Sequence, residues 1–374
     1  MNFIINQKIK EKERFFSDKY IKNFSDSKKI SIVAVTHLIE SSIAYIKTLD
    51  KYFLLEFIIP KPNSINKDFI NFYPKEKMLS LTREKLNYLD TFLKNLTKIT
   101  KENKLILIDI GGYFSFIAND IKKVFGDKFI GIIEDTENGY QKYKSRGDFD
   151  FPIITVARSP LKNNEDHLVG QSVVFSTEAL LREQGIFLNN KKVGVIGFGK
   201  IGNGILSSLK DKGCDISVYD KNSTTLITAY SKGYKILNKN KIVKGSDLIF
   251  CATGNLAFKG DDFRYLKNGA FIVSVTSSDD ELDTRWLEKN YTKEKIASHI
   301  TKYDHNGHHF YLLNKGNAIN FIHGGGAGDF IQLVQKEIID GVIYMATNKL
   351  ENKIQETPDA IREKISNLWL KHFL

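Results

Sequence analysis

Lys192-Val193-Gly194-Val195-Ile196-Gly197-Phe198-Gly199-Lys200-Ile201-Gly202-Asn203-Gly204 lies midway along a chain of 374 residues and decides its fold. Val193 to Ile196 is an apolar strand pattern that runs directly into Gly-x-Gly-x-x-Gly. Ile205, Leu206 and Leu209 then continue with helical spacing. In this pattern Gly197 permits the tight turn, Gly199 lets the backbone approach a pyrophosphate, and Gly202 permits close helix–strand contact. The helix that begins there offers free N–H groups and partial positive charge to phosphate. A second strand, Asp215-Ile216-Ser217-Val218-Tyr219, ends in Asp220, about 20 residues on, where a carboxylate is placed to bind a ribose 2′-OH. The same carboxylate repels a 2′-phosphate. The expected cofactor is therefore NAD rather than NADP.

Similar strand–helix units lie on both sides of this motif. Upstream, Lys29–Val35, Lys104–Asp109 and Phe129–Ile133 read as buried strands, and Ile39–Leu49 and Gln171–Glu183 have helical spacing. The first 30 residues read as a charged helical arm. Downstream, Leu248–Cys251 and Ala270–Ser274 are strands, and Asn306-Gly307 signals a tight hairpin turn. Two helices close the chain, one over Asp329–Leu350 and the last opening at Thr357-Pro358, read as N-cap and first helical residue. Strands alternating with helices indicate an α/β protein built on parallel sheets, and the length allows two domains.

Composition narrows the partners. Hydrophobic content of 42% with 12% aromatic residues describes a globular chain, and no apolar run reaches membrane-spanning length. The amino-terminal Met1-Asn2-Phe3-Ile4-Ile5 leads into charged residues rather than forming a signal peptide. Cys214 and Cys251 are expected as buried free thiols, which fits a cytoplasmic location. Net charge is +11, yet only 8 of the 55 basic residues are arginine and the lysines are dispersed. No basic element with interleaved aromatics stands out, so neither a nucleic-acid nor a membrane partner is expected. His305, His308 and His309 flank a tight turn without a standard zinc spacing, so no metal is expected.

Several further segments occur in a recognisable order. Ala34-Val35-Thr36-His37-Leu38-Ile39 closes the first strand, and Asp109-Ile110-Gly111-Gly112-Tyr113 closes the next. Glu134-Asp135-Thr136-Glu137-Asn138-Gly139 follows, and then Ala157-Arg158-Ser159-Pro160-Leu161-Lys162-Asn163-Asn164-Glu165-Asp166-His167-Leu168-Val169-Gly170. Beyond the glycine motif come Ala252-Thr253-Gly254-Asn255, Asp279-x-Glu281-x-Asp283-x-x-Trp286-Leu287, and Asn320 ahead of a glycine-rich stretch. Over residues 28–345 this arrangement resembles the S-adenosylhomocysteine hydrolase (adenosylhomocysteinase) superfamily.

The resemblance implies a Rossmann-type NAD domain plus a second α/β substrate domain, with a cleft between them. Residues 1–173 would form the substrate domain and 174–325 the NAD domain, with 326–374 as helices returning to the first. It implies oxidation of a ribose hydroxyl by NAD, with the resulting ketone acidifying a neighbouring C–H for elimination. Lys162 stands at the family's lysine position, Asp166 at its aspartate, His37 at an active-site histidine, and Asp135 at a carboxylate that holds sugar hydroxyls. Gly197, Gly199, Gly202 and Asp220 would hold the adenosine half of NAD, and Asn320 and Thr136 the nicotinamide end.

Other family groups are replaced. Ile110 stands for an aspartate used in proton chemistry, Ser277 for a catalytic histidine, and Ala327 for a histidine near adenine. Ile39 replaces a threonine that touches adenine, and the tail that reaches a neighbouring subunit has no counterpart after Trp369. These losses argue against adenosylhomocysteine hydrolysis itself. They favour oxidation of a sugar- or nucleoside-type hydroxyl, coupled to elimination, dehydration or epimerisation. The alternative is a non-catalytic NAD-binding relative that acts as ligand sensor or partner subunit. A dimeric or tetrameric homo-oligomer is the expected assembly.

Overall fold

The apolar runs rich in isoleucine and valine become strands buried on both faces, as parallel sheets flanked by helices require. The structure is a computed structural model and describes residues 2–81, 90, 92, 96, 102–276 and 281–374. Its strands, in chain order, are β1 Ile30–Leu38, β2 Leu54–Ile65, β3 Lys104–Asp109, β4 Phe129–Glu134, β5 Ile153–Thr155, β6 Lys192–Ile196 and β7 Asp215–Tyr219. They continue as β8 Lys235–Ile236, β9 Leu248–Cys251, β10 Ala270–Ser274, β11 Thr292–Ala297, β12 Ile300–His305, β13 His308–Leu313 and β14 Ile354–Gln355. The helices are α1 Asn2–Phe16, α2 Lys19–Lys22, α3 Glu40–Tyr52, α4 Ala118–Phe125, α5 Glu137–Arg146 and α6 Lys162–Arg182. Next come α7 Lys200–Leu209, α8 Ser223–Ser231, α9 Lys239–Gly245, α10 Thr284–Asn290, α11 Ile331–Thr347 and α12 Asp359–Phe373. No helix among the described residues is long and apolar enough to cross a membrane.

The chain divides into two units, Met1–Lys162 with Gly328–Leu374, and Asn163–Ala327. The first division falls at the start of α6, where the sequence suggested 173/174, midway along the helix. Gly170 accounts for the difference. It brings the α6 backbone so close to α7 that an added Cβ would lie 2.5 Å from the Ile201 carbonyl oxygen, so α6 packs with the second unit.

In the first unit a six-stranded parallel sheet runs in the order β14-β5-β4-β3-β1-β2. Successive residues of β1 face opposite cores. Ile32 and Ala34 join Phe15, Phe16, Ile46 and Val342, whereas Val33 and Val35 join Leu107, Phe114, Ile132 and Tyr143. The amino-terminal helix α1, read as a charged helical arm, contributes Ile9, Phe15 and Phe16 to the core.

Helix α11 is buried along most of its length, charged residues included. Lys336 pairs with Asp18 at 3.1 Å and with Asp340, and Arg362 of α12 pairs with Glu337 at 3.0 Å. Charges this deep persist only when paired and hydrogen-bonded. The Thr357 hydroxyl is drawn into this network by Glu337, so Thr357 does not cap α12 and the helix begins at Asp359 with Pro358 as its cap.

In the second unit an eight-stranded sheet runs β11-β12-β13-β10-β9-β6-β7-β8. Its parallel part, counted from β6, has the order 3-2-1-4-5-6 of a Rossmann fold. β12 and β11 extend it antiparallel. The β12–β13 turn uses Asn306 at φ 53° and Gly307 at φ 85°, the two positive angles of a type I′ hairpin.

Candidate functional site

A Rossmann sheet binds nucleotides where its strand order reverses, here between β6 and β9. The sequence shapes the backbone there by omitting side chains. Gly197 follows β6 at φ +104°, and a Cβ on it would lie 2.3 Å from the Ala252 carbonyl oxygen at the end of β9. A Cβ on Gly202 would lie 2.0 Å from the Gly197 carbonyl oxygen. Gly199 differs from both, for nothing lies within 4 Å of its missing Cβ. It caps α7 without a side-chain bond to the first-turn N–H groups. Two glycines thus close the turn and the third leaves an open face at a helix N-terminus.

Asp220 holds this loop in place. Its Oδ2 accepts the Phe198 N–H at 2.8 Å and its Oδ1 accepts the Asn222 N–H at 2.8 Å. Each oxygen keeps a second lone pair for a ribose hydroxyl. Asn320 is 4% exposed, yet its Oδ1 has no hydrogen-bond partner. A buried carbonyl oxygen of this kind needs a donor, and the carboxamide NH₂ of a nicotinamide is one. The residues present fit NAD. Asp166 also belongs to this unit, with Lys200 Nζ 3.8 Å from its Oδ2.

The first unit gathers its polar groups at the carboxyl ends of four adjacent strands. His37 stands near the end of β1, Lys61 and Ser64 near the end of β2, and Asp109 and Glu134 end β3 and β4. Lys162 Nζ donates to Asp135 Oδ1 at 2.8 Å, with side chains only 8% and 12% exposed. Burial, reinforced by the positive charges of Lys61 and Lys162, holds the His37 imidazole well below its ordinary pKa. His37 is therefore neutral near pH 7, and its Nδ1 lies 2.5 Å from Ser64 Oγ.

Two buried acidic side chains support this group. Glu134 accepts the N–H groups of Gly111 (3.0 Å), Gly112 (3.0 Å) and Thr136 (2.7 Å). Asp109 accepts the N–H groups of Tyr113 (2.9 Å) and Phe114 (3.0 Å) and the Tyr143 hydroxyl (2.6 Å). Burial, together with the charge of Asp109, pushes Glu134 up to about 8. The pair pins the loops after β3 and β4.

Thr136, expected at the nicotinamide end, has its hydroxyl occupied in this support. It donates to Glu134 Oε1 at 2.7 Å and accepts the Gly139 N–H at 3.1 Å, capping α5. Ile110 is 7% exposed and packs in the apolar core with Tyr113 and Phe114. Ser277 and Asp279 lie outside the described residues. His305 and His308 each bond a backbone carbonyl, of Asn290 and Leu266 respectively, at 2.8 Å.

The structure thus brings His37, Asp135 and Lys162 together on the first unit. Gly197, Gly199, Gly202, Asp220, Asn320 and Asp166 lie on the second. Sequence reasoning missed Lys61 and Ser64. Their only signal was position, in the polar run Lys61-Pro62-Asn63-Ser64 that follows the apolar stretch of β2.

Residues 171–326 match the family model described as the S-adenosyl-L-homocysteine hydrolase NAD-binding domain. The second unit is an NAD-binding domain. An adenosylhomocysteinase from Thermotoga maritima is 26% identical over 288 residues, covering 75% of this chain and 71% of that protein. One from Sulfolobus acidocaldarius is 25% identical over 291 residues, covering 75% and 69%. Among solved structures, the A chain of dipicolinate synthase from Bacillus subtilis aligns at 10% identity with a TM-score of 0.45, over 85% of this chain and 97% of that one.

Proposed function

We propose that this chain, a divergent member of the adenosylhomocysteinase superfamily, is an NAD-dependent enzyme that oxidises a hydroxyl of a sugar- or nucleoside-type substrate. The observation that carries the reading is the buried Lys162–Asp135 ion pair at 2.8 Å beside the neutral His37, in a chain whose other unit binds NAD. Bound NAD supplies the hydride acceptor. Lys162 supplies the base. Its ammonium can pass a proton to Asp135, and the amine so formed takes the proton of the reacting hydroxyl. Asp135 also accepts from the vicinal hydroxyl, which favours a diol over an isolated alcohol.

Once the carbon is oxidised, the adjacent C–H is acidic and His37, neutral, is available to remove its proton. Elimination, dehydration or epimerisation then follows according to the substituent. Asp166 tunes this end of α6. Gly197, Gly199, Gly202 and Asp220 hold the adenosine half of the dinucleotide, Asn320 holds the carboxamide, and Thr136 acts through Glu134. Ile110 gives no proton path at a position where the family carries an acid, which weighs against adenosylhomocysteine hydrolysis. It is also the observation that favours the competing reading, a ligand-sensing relative without turnover.

The test begins with the nucleotide released by acid from purified protein and identified by mass. Absorbance at the reduced-nicotinamide band is then followed as adenosine, adenosylhomocysteine and other ribosides are added. NAD reduced by one of them, and not in Lys162→Met protein, is the expected result. NAD that stays oxidised with every riboside favours the sensor, and reduction that survives Lys162→Met removes Lys162 from its role.

A further inference from the structure

We propose that Glu281 is a positioning residue of the NAD site, whose buried side chain holds the loop after β9 in the shape that receives the dinucleotide. The inference concerns the cofactor and not the substrate, so it goes beyond the proposed function and does not depend on it. It gives a role to Glu281 within Asp279-x-Glu281-x-Asp283, a pattern far from the glycine motif in sequence.

The strand order reverses between β6 and β9, so a dinucleotide in that crevice has the Gly197–Gly199 turn on one side and the loop after β9 on the other. The two meet directly. The Ala252 N–H donates to the Ile196 carbonyl oxygen at 2.8 Å, and the Ala252 carbonyl oxygen fills the space that a Cβ on Gly197 would need. Beyond Ala252 the chain is thinly supported. Thr253, Asn255 and Leu256 are exposed, Gly254 takes φ +62°, and nothing lies within 4 Å of its missing Cβ. Burial resumes at Ala257 and Phe258. Residues 253–256 therefore gain little order from apolar packing.

Glu281 supplies that order. It is 0% exposed, its Oε1 accepts the Gly254 N–H at 2.7 Å, and the Thr253 hydroxyl meets its Oε2 at 2.7 Å. The Thr253 hydroxyl also meets the Asn255 carbonyl oxygen, and its own oxygen accepts the Asn255 N–H at 3.0 Å, so this grip reaches both sides of Gly254. Glu281 is itself fixed at the far end of the loop. Its carbonyl oxygen accepts the N–H groups of Ala257 (2.8 Å) and Phe258 (3.1 Å), and the Asp283 N–H donates to the Phe258 carbonyl oxygen at 3.0 Å. Leu282 between them sits in the apolar core with Phe258 and Cys251. The segment thus holds the end of the loop through backbone and its middle through one side chain. Burying a carboxyl group is costly unless it is hydrogen-bonded, and these bonds go to a loop with no core of its own. Asp283 has a different task, because its Oδ1 accepts the Trp286 N–H at 3.1 Å and caps α10. A loop already set in the binding shape spares NAD the entropy of ordering it.

The experiment is calorimetric titration of the nucleotide-free, full-length chain with NAD, beside its thermal unfolding. Glu281→Leu is expected to weaken NAD binding by about tenfold, and Glu281→Gln, which keeps an acceptor for the Gly254 N–H, to stay within about threefold of wild type. Asp283→Ala is expected to lower the unfolding midpoint through its lost cap and to leave NAD affinity unchanged. A merely structural Glu281 would behave as Asp283 does, and loss of stability with unchanged affinity in Glu281→Leu overturns the proposal. Equal weakening by the Gln and Leu variants overturns it too. If Glu281→Leu does not fold, Thr253→Val removes one of the same bonds from the loop side. Several-fold weaker NAD binding is then expected, and unchanged affinity overturns the proposal. Because NAD alone is the probe, failure of riboside oxidation and failure of this assignment are separate results.

Discussion

The two units build their sites from different materials. In the second, the site is largely backbone: a turn at Gly197, a helix start at Gly199 and a contact at Gly202, locked by one carboxylate at 2.8 Å from two amides. In the first, it is entirely side chain, an ammonium on a carboxylate and an imidazole on a hydroxyl, standing on a buried pair of acids. At Gly197 and Gly202 this backbone tolerates little change, because an added Cβ meets a carbonyl oxygen. A side-chain site can exchange its chemistry at single positions while the strand ends stay in place. Ile110, for example, rests in the apolar core without disturbing Asp109 beside it. The contrast explains why the cofactor is legible in the sequence.

The largest effect that would break this contrast belongs to the side-chain site. Lys162→Met removes the proposed base, and riboside-driven reduction of NAD is expected to fall by about 10²- to 10⁴-fold. The same change leaves Asp135 buried without its ammonium, at a cost of about 3–5 kcal/mol read as a lower urea midpoint. Asp135→Asn combined with Lys162→Met should recover part of that stability without recovering activity.

The backbone site is tested by separating its glycines. Gly202→Ala forces a Cβ to 2.0 Å from a carbonyl oxygen, and overpacking of that kind is expected to cost about 3 kcal/mol or more in thermal or urea unfolding. Gly199→Ala meets nothing within 4 Å, so its unfolding curve should match wild type while NAD titration loses about 2 kcal/mol of affinity. Equal loss of stability in both variants would erase the distinction between the two glycines.

The buried titrating groups sharpen the first unit's side of the comparison. Glu134 has its pKa raised from 4.5 to about 8, so the native state holds a proton that the unfolded chain has released. Its stabilising contribution is complete below pH 4.5 and is lost as pH rises toward 8. His37 acts in the opposite sense. Its depressed pKa gives stability that is present above its ordinary value of 6.5 and lost as pH falls through the acid side. Urea midpoints should therefore decline from pH 6 to pH 8 by about 2 kcal/mol in free energy, and Glu134→Gln should flatten that slope while lowering the whole curve. His37→Gln should flatten the acid limb alone.

The smallest effect concerns cofactor choice. Asp220→Asn keeps an acceptor for the Phe198 N–H but removes the charge that repels a 2′-phosphate. The preference for NAD over NADP should narrow by about tenfold, or ~1.4 kcal/mol, in competitive binding.

Local patterns carried most of the architecture. The isoleucine–valine runs announced the strands, and Asn306-Gly307 announced the hairpin, because each depends on neighbours in sequence. Helix limits were less legible where distant groups compete. Thr357 reads as a cap until Glu337, 20 residues earlier, takes its hydroxyl, and α1 reads as a charged arm until Phe15 and Phe16 are seen in the core. At the candidate site, the sequence alone determined the nucleotide loop and its cofactor. A glycine turn, a helix start and an acidic strand end follow one another along the chain and act through the backbone they shape. Only the tertiary structure decided what faces what on the first unit. Lys162 meets Asp135 and His37 meets Ser64 each across 27 residues of chain, and the β4-β3-β1-β2 strand order is what lines up the ends that carry them. Pairing at that range is set by sheet order and burial, which no local pattern encodes.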